Sequence, residues 1–334
     1  MNPSTIQTND QDRALTDFPT LLLAPPLPVV SDGLSARVSV HKLYEAADPE
    51  AELARIAPTI KAVISGASAP KVDAALLKRL PNLKLVSNYG VGYDTVDTAY
   101  ASENGIIVTH TPDVLTDEVA DLAMGLLIAT VRRIPQADRY LRAGHWEDKP
   151  FPFSASLREK SMGILGLGRI GMAIAKRAEA FGLKLAYHSR TQKPDAPWPY
   201  YASLIEMARD VDILMVIAPG GPQTYHLVNT EVLHALGASG TLINVARGSL
   251  VDEQALTTAL QTGTLGAAGL DVFEDEPRVS ETLRGLDNCV LLPHVGSASH
   301  YTRNKMGQLV VENVLAMAEG KAPLTPVPET PYKG

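Results

Sequence analysis

The stretch "GILGLGRIG" at residues 163–171 constrains the fold of this chain more than any other. Gly166, Gly168 and Gly171 form G-x-G-x-x-G between an apolar run, "SMGILG" (161–166), and a helical pattern, "RIGMAIAKRAEAFG" (169–182), that stops at Gly182. Leu167, Arg169 and Ile170 fill the turn. Strand, glycine turn and helix in that order allow a pyrophosphate to approach the backbone and rest on the helix N-terminal amides. Such a unit needs parallel neighbours in a sheet covered by helices on both faces.

The rest of the chain supplies those neighbours twice. Before the glycine turn, "TLLLA" (20–24), "RVSVHKLY" (37–44), "IKAVIS" (60–65) and "LKLVSN" (83–88) read as strands, with "PEAELARIA" (49–57) and "KVDAALLKRL" (71–80) as helices between them. After it come "LKLAY" (183–187), "DILMVIA" (212–218), "GTLINVA" (240–246), "GAAGLDVF" (266–273) and "NCVLLP" (288–293). "SLVDEQALTTALQTG" (249–263) reads as a helix with Ser249 and Asp252 as a capping box and Gly263 as its stop. "TDEVADLAMGLLIATVRRIP" is an amphipathic helix capped by Thr116 and kinked or ended by Pro135, with a second helix to about Ala143. A last helix spans 303–320. The expected fold is α/β: two Rossmann-like or flavodoxin-like domains with parallel sheets, a cleft between them, and long helices linking them. Residues 1–117 with 299–334 form the substrate-binding domain, and residues 118–298 form the dinucleotide-binding domain.

Composition narrows the function classes. Of 334 residues, 45% are hydrophobic and 20% charged, enough for two cores. The net charge of −7 advertises no basic face for nucleic acid or anionic membrane. Cys289 is the one cysteine, so an intrachain disulfide and a cysteine-based zinc site are both excluded, and a reducing cytoplasm is the expected compartment. "LLLAPPLPVV" (21–30) is broken by three prolines and too short to span a bilayer. Residues 1–17 are polar and patternless and read as a loose arm. The tail "PLTPVPETP" (323–331) is proline-rich.

Three ends of strands after the glycine turn carry reactive groups: Arg247 in "NVARGS", Glu276 in "LDVFEDEP" and His294 in "LLPHVGS". In an open parallel sheet these ends line the ligand crevice. A histidine delivers a proton near neutral pH, a carboxylate on its other nitrogen favours the charged form, and an arginine forks onto a carboxylate or carbonyl. Singly, each reads equally well as a surface or strand-end residue. Together, after a dinucleotide turn, they read as a catalytic set. No metal site is called for.

The blocks "GILGLGRIG", "NVARGSLVDE", "GAAGLDVFEDEP", "LLPHVGSAS" and "SNYGVGYDTVD" (87–97) resemble, in order and spacing, those of the D-isomer-specific 2-hydroxyacid dehydrogenases. The resemblance runs from about residue 60 to 320, and is nearest to the glyoxylate/hydroxypyruvate reductases, with hydroxyphenylpyruvate reductases nearby. It implies reduction of a small 2-keto acid, with Arg247, Glu276 and His294 catalytic. It implies that the amides of Val91 and Gly92 hold the substrate carboxylate, which suits an anion nest between Gly90 and Gly92. It places Asp271 on the nicotinamide carboxamide, Val245, Gly296 and Ser297 at the nicotinamide end, and Ala218, Pro219 and Thr224 along the middle of the cofactor. Ser65 and Gly66 are candidates for the substrate pocket. Trp146 is a candidate for reaching a neighbouring subunit's site, or alternatively an interface or loop-packing residue, and a homodimer is implied. Gly220-Gly221 departs from the usual leucine and threonine and suggests a looser cofactor loop.

The acid that grips the NAD ribose about 20 residues after such a turn is missing from "YHSRT" (187–191). His188 stands in its place, and Ser189, Arg190 and Thr191 can instead hold a 2′-phosphate. The expected cofactor is therefore NADP, with NADPH preferred over NADH. Two other readings stand beside this one: a dinucleotide-sensing corepressor that keeps the same residues, and a relative acting on hydroxyphenylpyruvate, 2-ketogluconate, formate or a phosphorylated acid.

Overall fold

A computed structural model describes residues 17–66 and 69–333. The arm expected over 1–17 lies, apart from Asp17, outside them. The chain divides into two compact units: residues up to Leu115 with those from His300 onward, and Thr116–Ser299. The divisions fall two residues before and one residue after those read from the sequence.

The first unit is built on strands β1 (Thr20–Leu22), β2 (Val40–Lys42), β3 (Ala62–Gly66), β4 (Leu85–Tyr89) and β5 (Ile107–Thr109), ordered β2-β1-β3-β4-β5 and all parallel. Strand alternation sends Leu21, Val63, Val86 and Val108 to one face, under Leu53 and Ile56 of α2 (Pro49–Ile56), Leu77 of α3 (Ala74–Lys78) and Ala101 of α4 (Thr98–Glu103). Leu22, Ala62, Ile64 and Leu85 face the other way, under Val30 and Leu34 of α1 (Pro28–Ser35) and Val310 and Val314 of α12 (His300–Ala318). The proline-broken apolar run thus becomes a strand and a helix. Pro28 sits in the first turn of α1, where its missing N–H removes no helical bond.

The proline-rich tail covers the edge of this sheet. The Val327 N–H donates to Val108 O at 2.9 Å, the Val108 N–H donates to Thr330 Oγ1 at 2.8 Å, and Thr109 bridges Pro326 antiparallel. Val327 is fully buried. The open edge of β5 therefore finds partners within the chain.

The second unit carries β6 (Ser161–Leu165), β7 (Lys184–His188), β8 (Ile213–Val216), β9 (Thr241–Asn244), β10 (Ala267–Leu270) and β11 (Cys289–Leu291), ordered β11-β10-β9-β8-β6-β7 and again parallel. Its helices are α5 (Thr116–Val131), α6 (Ile134–Arg142), α7 (Arg169–Ala180), α8 (Leu204–Asp210), α9 (Thr230–Leu236), α10 (Glu253–Thr262) and α11 (Glu281–Arg284). Helix α5, read from sequence as a connector, is an integral part of this unit. It buries Val119, Ala123, Leu126 and Leu127, and Arg177 of α7 bonds its Asp117 and Asp121 at 3.0 and 2.6 Å. Arg133, in the left-handed region at φ 53°, breaks the chain between α5 and α6, and Pro135 starts α6.

The helix expected from residue 249 begins four residues later. Gly248–Leu250 is a 3₁₀ turn, and Asp252 alone caps α10, accepting from the Ala255 N–H at 2.9 Å. Gly263 ends α10 at φ 71°, as read. Among the described residues no helix is long and apolar enough to cross a membrane.

Candidate active site and cofactor turn

In the second unit the strand order reverses between β6 and β8, and the loops leaving those strands meet. Gly166 takes φ 102°, and a β-carbon on it would lie 2.7 Å from the Ala218 Cα. A β-carbon on Gly171 would lie 2.2 Å from Gly166 O, so strand and helix approach as closely as glycine permits. A β-carbon on Gly168 would meet nothing within 4 Å. Gly168 caps α7 with no side-chain bond, which leaves open space before the helix amides. These residues fit a bound dinucleotide pyrophosphate at a topological switch point. The loop after β8 is closed by Thr224, whose hydroxyl lies 2.8 Å from Pro219 O and 3.1 Å from Gly221 O, so the glycine pair does not leave it untied.

At the end of β7, His188 Nδ1 donates to Tyr201 O at 2.9 Å. Ser189 Oγ donates to Thr191 O at 2.7 Å, and Tyr200 donates to Ser189 O at 3.2 Å. The turn is thus folded back on itself, with the Arg190 side chain exposed.

The reactive groups follow the carboxyl ends of β9, β10 and β11. His294 Nδ1 lies 2.7 Å from Glu276 Oε2, while Glu276 Oε1 accepts from the Phe273 N–H at 3.0 Å. Burial pushes the Glu276 carboxyl up. The His294 hydrogen bond, the Phe273 N–H and the charges of His294 and Arg247 outweigh it, and hold the carboxyl below its ordinary 4.5. Glu276 is therefore ionised at neutral pH and accepts from Nδ1, which leaves Nε2 as the ring nitrogen able to carry and release a proton.

His294 is held in the left-handed region at φ 54°. Its N–H donates to Asp271 O at 2.9 Å, and the next two amides, of Val295 and Gly296, donate to the Asp271 carboxylate at 2.7 and 2.8 Å. Asp271 is 1% exposed, and its burial raises its carboxyl above the ordinary range against the pull of those two amides. The structure thus shows Asp271 fixing the turn that carries His294, a task distinct from contact with a cofactor amide. Val245 and Ala218 are buried at their strand ends, and Ser297 is half-buried beyond Gly296.

Arg247 extends from β9 with its backbone O accepting from Asn244 Nδ2 at 2.9 Å. The residue after it was not singled out from the sequence. A β-carbon on Gly248 would lie 1.9 Å from the Phe273 carbonyl carbon and 2.4 Å from the Glu274 N. Only glycine lets the Arg247 segment lie against the segment that carries Glu276. The available signal was its place directly after the arginine in "ARGS".

Val91 and Gly92 belong to the first unit, in the loop after β4. Asn88, 1% exposed, donates from Nδ2 to Gly90 O and Gly92 O at 3.2 and 3.0 Å, and accepts from Ser65 Oγ at 3.2 Å. Thr111 N–H donates to Gly90 O at 2.9 Å, and His110 Nδ1 to Val91 O at 3.0 Å. Every carbonyl of this loop from Gly90 to Gly92 is turned into the protein. Among the described residues, the Val91 and Gly92 amides meet no acceptor. Ser65, 3% exposed, is turned toward Asn88, and Gly66 ends β3 beside Tyr89. Asn88 and His110 were not picked out from the sequence, although Asn88 stands within "SNYGVGYDTVD"; His110 lies in no such block. Trp146 stands 67% exposed on a 3₁₀ turn, His145–Glu147.

Residues 124–296 match the model of the D-isomer specific 2-hydroxyacid dehydrogenase NAD-binding domain. The chain is 48% identical to glyoxylate/hydroxypyruvate reductase A of Arabidopsis thaliana and 47% identical to hydroxyphenylpyruvate reductase of Plectranthus scutellarioides, in both cases over 92% of this chain and 98% of the relative. Among solved structures it resembles the NADPH-dependent glyoxylate/hydroxypyruvate reductase of Sinorhizobium meliloti in complex with NADP and malonate. The TM-score is 0.89 at 45% identity, covering 96% of this chain and 99% of that one.

Proposed function

The chain belongs to the D-isomer specific 2-hydroxyacid dehydrogenase family, and from that membership we propose that it reduces small 2-keto acids, glyoxylate and hydroxypyruvate foremost, to D-2-hydroxy acids with NADPH. The observation that carries this reading is the 2.7 Å bond between His294 and Glu276 on the ends of neighbouring segments. Gly166, Leu167, Gly168, Arg169, Ile170 and Gly171 cradle the pyrophosphate, Ser189, Arg190 and Thr191 hold the 2′-phosphate, and Ala218, Pro219, Thr224, Val245, Asp271, Gly296 and Ser297 border the remainder. When bound, NADPH supplies the hydride. The amides of Val91 and Gly92 hold the keto acid's carboxylate, with Ser65 and Gly66 beside them. Arg247 polarises the ketone, and His294 gives its Nε2 proton to the ketone oxygen while Glu276, bonded to Nδ1, holds the ring in place.

A homodimer is the proposed assembly, supported by the exposure of Leu141, Trp146 and Phe153 on and after α6. No nucleic-acid or membrane partner enters the reading, in keeping with the net charge of −7, and a reducing cytoplasm suits the single, buried cysteine. The likeness to a hydroxyphenylpyruvate reductase favours one further reading, an aromatic keto acid as substrate. The test is a panel of glyoxylate, hydroxypyruvate, hydroxyphenylpyruvate and 2-ketogluconate with NADPH and NADH, on the unaltered protein and on His294→Ala. The small keto acids should turn over fastest, and the variant should lose roughly 10²–10⁴-fold in kcat. Wild-type turnover in the variant removes His294 as the acid. No turnover on any of the four removes the enzyme reading.

A further inference from the structure

The loop that presents the Val91 and Gly92 amides is braced by the tail of the chain. His110 is clasped by Thr325: its N–H donates to Thr325 O at 3.2 Å, and Thr325 Oγ1 donates back to His110 O at 2.6 Å. Thr325 is itself fixed by Asn313 of α12, a fully buried amide. Asn313 Nδ2 donates to Thr325 Oγ1 at 2.9 Å, and its Oδ1 accepts from the Leu324 and Thr325 amides at 2.8 and 3.1 Å. With its backbone held on that side, His110 points its ring the other way. Nδ1 reaches Val91 O at 3.0 Å, which sets the tautomer with hydrogen on Nδ1.

The tail also touches the far side of the loop. Tyr93 follows Gly92 directly, packs edge-on against the His110 ring at 5.4 Å, and donates its hydroxyl to the Glu329 carboxylate, whose oxygens lie 3.1 and 3.3 Å away. Burial, together with Glu329, pushes the Tyr93 phenol up to about 12, so it remains a donor across the neutral range. Two residues of one tail segment, Thr325 and Glu329, thus hold the two neighbours of the open amides.

We propose that the segment Thr325–Glu329 is a strap that holds the carboxylate-binding loop in its anion-accepting shape, with His110 and Tyr93 as positioning residues for the keto acid. This deepens the reductase reading and rests on it for the identity of the anion. Turning Val91 O inward turns the following amide, that of Gly92, outward, because the peptide group is planar. Loss of the His110 donor leaves that plane free to rotate.

The test uses the full chain with His110→Ala, Tyr93→Phe, Glu329→Ala and the Tyr93→Phe/Glu329→Ala double variant. KM for glyoxylate should rise about tenfold in His110→Ala and about threefold in each of the other two single variants, with kcat and the KM for NADPH unchanged. The double variant should be no worse than its worse single parent, because both changes remove the same bond. Amide exchange over residues 88–96 should quicken in every variant, a readout that needs no turnover. Unchanged exchange overturns the strap, as does an unchanged KM for glyoxylate or a loss shared equally with kcat and the KM for NADPH. If the unaltered protein reduces no keto acid, the reductase reading fails while the exchange measurement still decides the strap.

Discussion

At the scale of single residues, cofactor choice turns on the side chains after β7. An acid at position 188 would accept the ribose hydroxyl of NAD and repel a 2′-phosphate. His188 instead gives its Nδ1 hydrogen to Tyr201 O, and Arg190 stands exposed at the mouth of the turn. A charge-assisted bond of about 1.5–3 kcal/mol corresponds to a preference of roughly 10- to 150-fold. Arg190→Ala should therefore lower kcat/KM with NADPH by that factor and leave the NADH value nearly unchanged. Equal losses with both cofactors would assign Arg190 to folding instead of phosphate recognition. His294 shows the opposite balance of local and distant causes. Its residue type was readable, but its left-handed backbone is imposed by Asp271, whose two oxygens hold the amides of Val295 and Gly296. The carboxylate that aligns its ring is charged above pH 4.5, and its contribution is lost as pH falls through its lowered value.

At the scale of elements, close approach between segments matters more than the helices and strands themselves. Gly248 lies against Phe273 and Glu274 at distances that admit no β-carbon. Gly248→Ala must push apart the segments that bear Arg247 and Glu276. The expected cost is ~1–3 kcal/mol of stability, with a fall in Tm of about 2–4 °C per kcal/mol and a larger fall in kcat than in NADPH affinity. Thermal melts with kcat measured below the transition check this, and unchanged values would show that the backbone relaxes freely. The same region shows where pattern reading stops. "SLVDEQALTTALQTG" has helical spacing throughout, but its first turn is 3₁₀ because Gly248–Leu250 is committed to the contact with Phe273. Asp252, two residues beyond that turn, then becomes the cap. The strands were readable because both faces of each parallel sheet are buried and leave short apolar runs. Short helices such as α4 and α9, and the short edge strand β5, offered too few periods to be seen.

At the scale of the whole molecule, two parallel sheets each bury their own core, and the single thiol reports on one of them. Cys289 lies in β11, where burial and then Asp287 raise its thiol from 9.0 to about 11. The folded protein holds this proton to higher pH than the unfolded chain does. Its contribution is therefore fully present below pH 9 and fades as pH rises toward 11. Between pH 8 and 10.5 the unaltered protein should lose about 1–2 kcal/mol more stability than Cys289→Ala, measured by urea unfolding. Parallel losses would show that the thiol titrates alike in both states.

The sequence by itself determined the α/β class, the glycine turn, the chemistry at three strand ends and the missing acid after β7. Each of these is a local pattern, carried by residue types within a few positions of one another. Tertiary structure alone decided that Gly248 meets Phe273, that Asp271 grips the turn of His294, and that Thr325 and Glu329 brace His110 and Tyr93. Those partners lie from more than 20 to more than 200 positions apart in the chain. Strand order and register bring them together, and no run of neighbouring residues encodes that distance.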